Sequence, residues 1–303
     1  MDIKSKIILI SGPTASGKSN FALKVAKKIN GEIINADSMQ VYKELNILTA
    51  RPKKKDQGKI KHHLYGFQNV KKKFSTGQWL KLAKTKIKQI QKRKRVPVLV
   101  GGTGLYFKSI TEGLVKIPNI PLKFRNIIRA LQKKEGQKRF YKNLIKIDPL
   151  VKNLINPNDV QRAIRAFEIK KFTKKSITQW FKGTKILFNP DSFIKIYIDF
   201  PRQELVNRIN KRVEQMFKEG AVLEVKKYNR LKVKKDYSSN KVIGIEEIGK
   251  FLKGELNLNE AKERIFIKTR QYAKRQTTWA RGQMSSWQKI EPRNLSLTLK
   301  KLK

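Results

Sequence analysis

The stretch Gly12-Pro13-Thr14-Ala15-Ser16-Gly17-Lys18-Ser19 fits the spacing G-x-x-x-x-G-K-[ST] of a phosphate-binding loop. It follows an apolar run, Ile7-Ile8-Leu9-Ile10, that reads as a buried strand. It opens a segment with Phe21, Ala22, Val25, Ala26 and Ile29 at helical spacing. Glycines let the backbone wrap an anion, and a helix N-terminus adds unpaired N–H groups and a positive dipole end. In such a loop Lys18 holds phosphate oxygens and the Ser19 hydroxyl holds Mg²⁺. The loop alone leaves open which phosphate it holds and what happens to it.

Two more candidate groups stand where strands end. Glu32-Ile33-Ile34-Asn35 reads as a second strand and runs into Ala36-Asp37-Ser38-Met39-Gln40-Val41-Tyr42. Ligands of open α/β sheets sit at the carboxyl ends of strands, which places Asp37 near the loop. A carboxylate there either binds Mg²⁺, acts as a base, or caps the next helix with help from Ser38. Val96-Pro97-Val98-Leu99-Val100 reads as a third strand, ending in Gly101-Gly102-Thr103-Gly104. These glycines permit close approach to a ligand with Thr103 presenting its hydroxyl, or they make a tight turn with Thr103 as N-cap. His62-His63 falls in a basic loop and suits packing or substrate contact better than a metal.

Two segments suit RNA. Asn156-Pro157-Asn158-Asp159 reads as a turn with Asp159 as N-cap, and Arg162 and Arg165 then share a helix face with Gln161 nearby. Guanidiniums and an amide suit phosphate or base contact, and a solvated basic face is the alternative. A late helix, Asn259 to Arg281, carries Arg264, Lys268, Arg270, Lys274, Arg275 and Arg281, interleaved with Tyr272 and Trp279. Arginine with aromatic and amide residues fits a single-stranded nucleic-acid surface.

The elements that must position these groups alternate strand with helix over the first part of the chain. That order argues for an α/β fold, a P-loop parallel-sheet core. Ile194 to Asp199 reads as a later strand of the same sheet. Between them a helical insertion is expected over 119–190, so that 1–118 and 191–303 form the catalytic core with C-terminal helices. The residues after Trp287 are basic and expected to fray. The chain has 303 residues and is 39% hydrophobic, enough for a packed core. No run is apolar enough to span a bilayer. Met1-Asp2-Ile3-Lys4-Ser5-Lys6 leads into the first strand without a signal peptide, and cysteine is absent. A cytoplasmic location is the expectation. The net charge of +48 points to a polyanionic partner. Lysine far outnumbers arginine, as an A- and T-rich genome would also produce, so the arginine positions are the more informative.

The whole ordered set resembles the bacterial tRNA dimethylallyltransferases, also called tRNA isopentenyltransferases. The resemblance is carried by the phosphate loop, by Asp37 to Tyr42, by Thr49-Ala50-Arg51-Pro52, His62-His63-Leu64 and Gly101 to Tyr106. Asn158-Asp159-Val160-Gln161-Arg162 and Thr269 to Trp279 extend it over nearly the whole chain. It implies transfer of a dimethylallyl group from dimethylallyl diphosphate to N6 of the adenosine 3′ of the anticodon, position 37. The implied tRNAs read codons beginning with U; diphosphate leaves and Mg²⁺ assists. It also implies that the loop holds a prenyl diphosphate and that Asp37 is the general base. The same resemblance implies that Thr103 touches the reacting adenosine and diphosphate and that Arg125 helps hold the diphosphate.

The grip on the anticodon stem-loop is implied for Asp37-Ser38-Met39-Gln40, for Gln161-Arg162-Ala163-Ile164-Arg165 and for Lys241-Val242-Ile243-Gly244-Ile245-Glu246. It is implied also for Lys274-Arg275-Gln276-Thr277-Thr278-Trp279-Ala280-Arg281, and family members commonly act as monomers. Two departures stand out. Leu48 and Arg51 replace the family's glycine and lysine around Thr49-Ala50, and no aromatic follows Gly244. The zinc finger of eukaryotic relatives cannot form without cysteine. A P-loop kinase or NTPase remains the alternative, although the strand over Val96 to Val100 ends in glycines and offers no Walker-B carboxylate. A non-catalytic RNA-binding protein with a vestigial loop is the third reading.

Overall fold

Strand β1 (Ile7–Ser11) is buried along its full length, as a strand covered on both faces must be. A computed structural model describes residues 3–53, 58 and 60–302, so the sequence reading of Met1 and Asp2 lies outside the described residues. Strands β2 (Gly31–Asn35), β3 (His62–His63), β4 (Val96–Gly101), β5 (Phe193–Ile198) and β6 (Gln288–Ile290) join β1 in one parallel sheet. Its order is β3-β2-β4-β1-β5-β6. The register sets Leu9 beside Leu99 and Lys195, so β1 lies between β4 and β5.

Helix α1 (Lys18–Lys28) buries Phe21, Ala22, Val25 and Ala26 against the sheet, and Lys24, Lys27 and Lys28 are exposed. Helix α2 (Thr76–Lys92) starts at a capping box of Ser75 and Gln78 and buries Trp79, Leu80, Ala83, Ile87 and Ile90. The Trp79 indole N–H donates to the Asn35 carbonyl at 2.8 Å and its ring stacks on Tyr106 at 4.1 Å. A fully buried tryptophan contributes about 3–5 kcal/mol relative to alanine. Both contacts fix the carboxyl end of β2 against helix α3 (Gly104–Thr111).

The helical unit Glu112–Leu187 begins and ends somewhat earlier than the sequence reading of 119–190. Its helix α4 (Leu122–Ile147) breaks at Gly136, where φ is 73°, so two helical segments abut across that kink. Helix α5 (Val160–Thr173) is capped by Asp159, whose Oδ1 accepts the Arg162 N–H, and helix α6 (Ile177–Phe181) follows. Phe140 and Phe167, 4.8 Å apart, centre its core.

In the sheet-bearing unit, helices α7 (Arg202–Lys218), α8 (Ala221–Arg230), α9 (Ile245–Leu252) and α10 (Leu258–Gln283) build a second core around Tyr42, Leu45, Leu48, Val213, Val225 and Ile265. The Glu224 carboxylate accepts the N–H groups of Asn46, Ile47 and Leu48, which ties the loop after β2 to this core. Two expectations are corrected. His62-His63 is an edge strand and not a loop: the His63 Nε2 meets the buried Glu32 carboxylate at 2.6 Å. The segment after Trp287 does not fray. It forms β6 and helix α11 (Leu295–Lys301), whose Leu295 and Leu299, with Leu302, pack beside Phe21 and Val25.

Candidate active site

The loop between β1 and α1 takes its shape from two left-handed residues, Ala15 (φ 64°) and Gly17 (φ 83°). Alternation of right- and left-handed residues turns successive N–H groups inward, making an anion-binding concavity. The Lys18 ammonium curls back to the Pro13 carbonyl at 3.1 Å. Burial lowers the Lys18 amine to about 8; the Asp37 carboxylate opposes that shift and Arg212 reinforces it. A cation held dry in this way gains strength against an incoming anion.

Asn35, fully buried, builds the other wall. Its side-chain amide donates to the carbonyls of Asp37 and Leu64, and its Oδ1 accepts the Asp37 N–H at 2.8 Å. The Asp37 Oδ1 accepts the Met39 N–H, closing a local turn where no helix follows. Thr103 does not cap its own helix through its side chain. Its hydroxyl accepts the Ser38 N–H at 2.9 Å and donates to the Ser38 Oγ. A side chain on Gly101 would collide with the Ala36 backbone, so glycine lets β4 bring Thr103 against Asp37-Ser38.

A cavity of about 420 Å³ joins these walls. Its lining includes Thr14, Ala15, Gly17, Lys18, Ser19, Asp37, Met39 and Gln40, with Arg208 and Arg212 from α7. Lys241, Val242 and Ile243, and Tyr272 and Arg275 of α10, complete it. Arg208 and Arg212, one turn apart, are functional candidates that the sequence reading missed. Arg212 donates to the Thr14 hydroxyl at 2.7 Å, and burial lowers its guanidinium against the pull of Asp37. Arg208 lies over the Phe200 ring. Two arginines at i, i+4 on a helix soon after a core strand were the available signal. Burial and the Asp37 charge both raise the phenols of Tyr65, Tyr106 and Tyr272, which keeps them neutral.

A second cavity, of about 560 Å³, lies on the other side of α10. Arg202, Arg270, Lys274, Thr277, Thr278 and Arg281 line it, with Phe200, Leu205 and Ile209 as its apolar wall. The segment Lys274 to Arg281 is therefore divided. Gln276 and Trp279 pack inward, Trp279 against Gly104, and Ala280 is buried.

Several expected contact residues have buried side chains. Ala163 and Ile164 belong to the core of the helical unit, and Val242 and Ile245 to that of the sheet-bearing unit. Ala163, Ile164 and Ile245 are packed among apolar neighbours, and Val242, equally buried, also borders the cavity. Glu246 is held by Lys250 and Lys268, and Gly244 (φ 106°) donates its N–H to Glu247. In the helical unit Arg125, at 3.1 Å, and Arg165, at 3.2 Å, share the buried Glu168 carboxylate. Arg162 is exposed beside Asp159, and Gln161 is exposed. Arg51, which replaces the family's lysine, donates to Asn46 and to the Tyr42 carbonyl. Among the described residues no cluster of three His, Asp or Glu could hold a metal, and no helix is long and apolar enough to cross a membrane.

Comparison with known proteins agrees with this geometry. The model of the family "IPP transferase" matches residues 40–283. A protein of Pelagibacter ubique (strain HTCC1062) named tRNA dimethylallyltransferase is 62% identical over 303 residues, all of this chain and 97% of that one. The tRNA dimethylallyltransferase of Allorhizobium ampelinum is 40% identical over 294 residues, 96% of this chain and 97% of that one. The crystal structure of the tRNA isopentenylpyrophosphate transferase of Bacillus halodurans superposes with a TM-score of 0.71 at 32% identity, covering 98% of this chain and 95% of that one. A eukaryotic dimethylallyltransferase acting on tRNA gives 0.80 at 27% identity, over 94% and 73%. A phosphate loop and a carboxylate drawn around one cavity, with the Thr103 hydroxyl bonded to Ser38 beside that carboxylate, thus sit in a chain that belongs to the IPP transferase family of tRNA dimethylallyltransferases.

Proposed function

We propose that this enzyme transfers a dimethylallyl group from dimethylallyl diphosphate to N6 of adenosine 37 in tRNAs reading codons that begin with U. The observation that carries the reading is the convergence of Lys18, Arg212, Asp37 and Thr103 on one sheet edge. The allylic C–O bond breaks with its electron pair leaving on diphosphate, and the adenine N6 lone pair bonds to the freed carbon. Loop N–H groups, Lys18, Arg208 and Arg212 stabilise the departing charge, a preorganised electrostatic term. Arg125 is proposed to help hold the diphosphate as well. An adenine amine is a weak nucleophile, and Asp37 accepts its proton as the new bond forms. Thr103 orients the adenosine beside Asp37.

The donor set fits Mg²⁺. The Ser19 hydroxyl lines the cavity, and Mg²⁺ takes one or two protein oxygens when phosphates supply the rest. Bound there, the ion would neutralise diphosphate charge. The base must leave its stack to reach Asp37, and the ring of Tyr272, which lines the cavity, offers it an aromatic neighbour. Lys274, Arg275, Thr278 and Arg281 are proposed to grip the anticodon stem-loop together with Gln161, Arg162 and Arg165, the protein working as a cytoplasmic monomer. Incubation with dimethylallyl diphosphate, Mg²⁺ and unmodified tRNA, followed by mass spectrometry of the nucleosides, is expected to show dimethylallyladenosine. No prenylated adenosine across suitable tRNAs refutes the proposal.

A further inference from the structure

Gln276 stands in a segment expected to contact tRNA, yet its side chain is engaged inside the protein at both ends. Its Oε1 accepts the Thr14 backbone N–H at 2.8 Å, and its Nε2 donates to the Gly102 carbonyl at 3.0 Å. Thr14 belongs to the phosphate loop after β1. Gly102 belongs to the loop after the neighbouring strand β4, one residue before Thr103. A side chain on Gly102 would collide with the Gln276 amide, so the glycine makes the room that the amide occupies. A carboxamide satisfies a backbone N–H and a backbone carbonyl at once through two separate atoms, its oxygen accepting and its NH₂ donating. The same Thr14 receives Arg212 on its hydroxyl, and the Thr103 hydroxyl is bonded to Ser38 beside Asp37. One side chain therefore spans the two halves of the site: the loop on one side and the Thr103–Ser38–Asp37 wall on the other.

We propose that Gln276 is a positioning residue that sets the phosphate loop against the Thr103–Asp37 wall, and is not a contact to tRNA. The inference rests on the reading of the loop as a diphosphate site. Without the amide, the Thr14 N–H and the Gly102 carbonyl lose their partners, and each loop is free to relax away from the other. Diphosphate then meets a loop that is no longer preformed, and the base is no longer in register with the leaving group. The neighbouring side chains mark the alternative. Lys274 faces the second cavity, so a loss of RNA contact there leaves the diphosphate cavity untouched.

The test uses the full chain free of tRNA, with Mg²⁺ and inorganic diphosphate as the probe in titration calorimetry. tRNA affinity by filter retention and the single-turnover prenylation rate complete it. Gln276→Met, similar in length and without hydrogen bonds, is expected to weaken diphosphate binding about tenfold, the loss of two part-buried hydrogen bonds. It should slow the single-turnover rate at saturating substrates and leave tRNA affinity within about twofold. Lys274→Ala is expected to do the reverse, weakening tRNA and sparing diphosphate. Diphosphate affinity retained in Gln276→Met overturns the inference, as does a loss of tRNA affinity alone. A parallel fall in both affinities with a lowered melting temperature also overturns it, as a general structural defect. If the unaltered chain itself fails to bind diphosphate, the reading of the loop falls, and the inference with it.

Discussion

Replacing Asp37 by asparagine separates its chemistry from its architecture. The two carboxylate oxygens are used differently: Oδ1 accepts the Met39 N–H at 2.9 Å, and among the described residues no hydrogen bond reaches Oδ2. Asparagine keeps an oxygen at the first position, so the turn closes as before. Asn35 grips the backbone of residue 37 on both sides whatever the side chain. The expected change in stability is therefore within about 0.5 kcal/mol. The second oxygen becomes an amide NH₂, which cannot take a proton from adenine. Loss of a general base lowers the rate about 10²–10⁴-fold, or roughly 3–5 kcal/mol of activation free energy. Asp37 also supports the charged form of Lys18, so the comparison belongs at pH 7 and saturating dimethylallyl diphosphate, where that secondary effect is smallest. The assay is single-turnover transfer of labelled prenyl to tRNA, with tRNA affinity measured in parallel. A rate within tenfold of the unaltered enzyme refutes the assignment of Asp37 as base. So does a fall in rate matched by an equal fall in tRNA affinity.

Two further outcomes follow from the charges. Burial pushes the Glu32 carboxyl up, but hydrogen bonds from Arg93 and His63 outweigh it and hold it below its ordinary value. A depressed carboxylate contributes stability above its unfolded pKa and loses it as pH falls through the folded value. Glu32→Gln is thus expected to lower stability at pH 7 by about 1–3 kcal/mol, discounted because Arg93 and Arg95 are partly exposed. In urea unfolding the gap should narrow as pH is taken below about 4.5, and a gap independent of pH refutes the account. At the second cavity, Lys274→Ala and Arg281→Ala should each reduce the slope of log tRNA affinity against log salt by about one, while Lys88→Ala, exposed on α2, should not. Equal slopes for all three variants mean that the +48 charge acts as a diffuse background.

What could be read beforehand was what local pattern fixes. The buried strands β1, β2, β4 and β5 announce themselves as apolar runs, and the loop, Asp37 and Thr103 follow because they stand at strand ends. Strand β3 was hidden because two histidines carry no strand signal; it exists through pairing with β2 and the ion pair to Glu32. Strand β6 and α11 were hidden by lysines, although Leu295, Leu299 and Leu302 already held the helical spacing that packs beside α1. Arg208 and Arg212 lie far from the loop in sequence, and only the parallel placement of β5 beside β1 brings the following helix over it.

Helix α10 shows why a motif read as a contiguous string assigns too much to one role. At about 100° per residue, Ile265, Thr269, Tyr272 and Arg275 fall on one face, and these four line the cavity at the phosphate loop. Arg270, Lys274, Thr277, Thr278 and Arg281 fall on the opposite face, along the second cavity. Gln276 and Trp279 fall on the first face as well and close on Thr14, Gly102 and Gly104. A segment proposed to meet RNA on one side is thereby in direct hydrogen-bond contact with the phosphate loop on the other. If RNA bound along the second cavity alters diphosphate affinity through Gln276, linkage requires that diphosphate alter RNA affinity by the same factor.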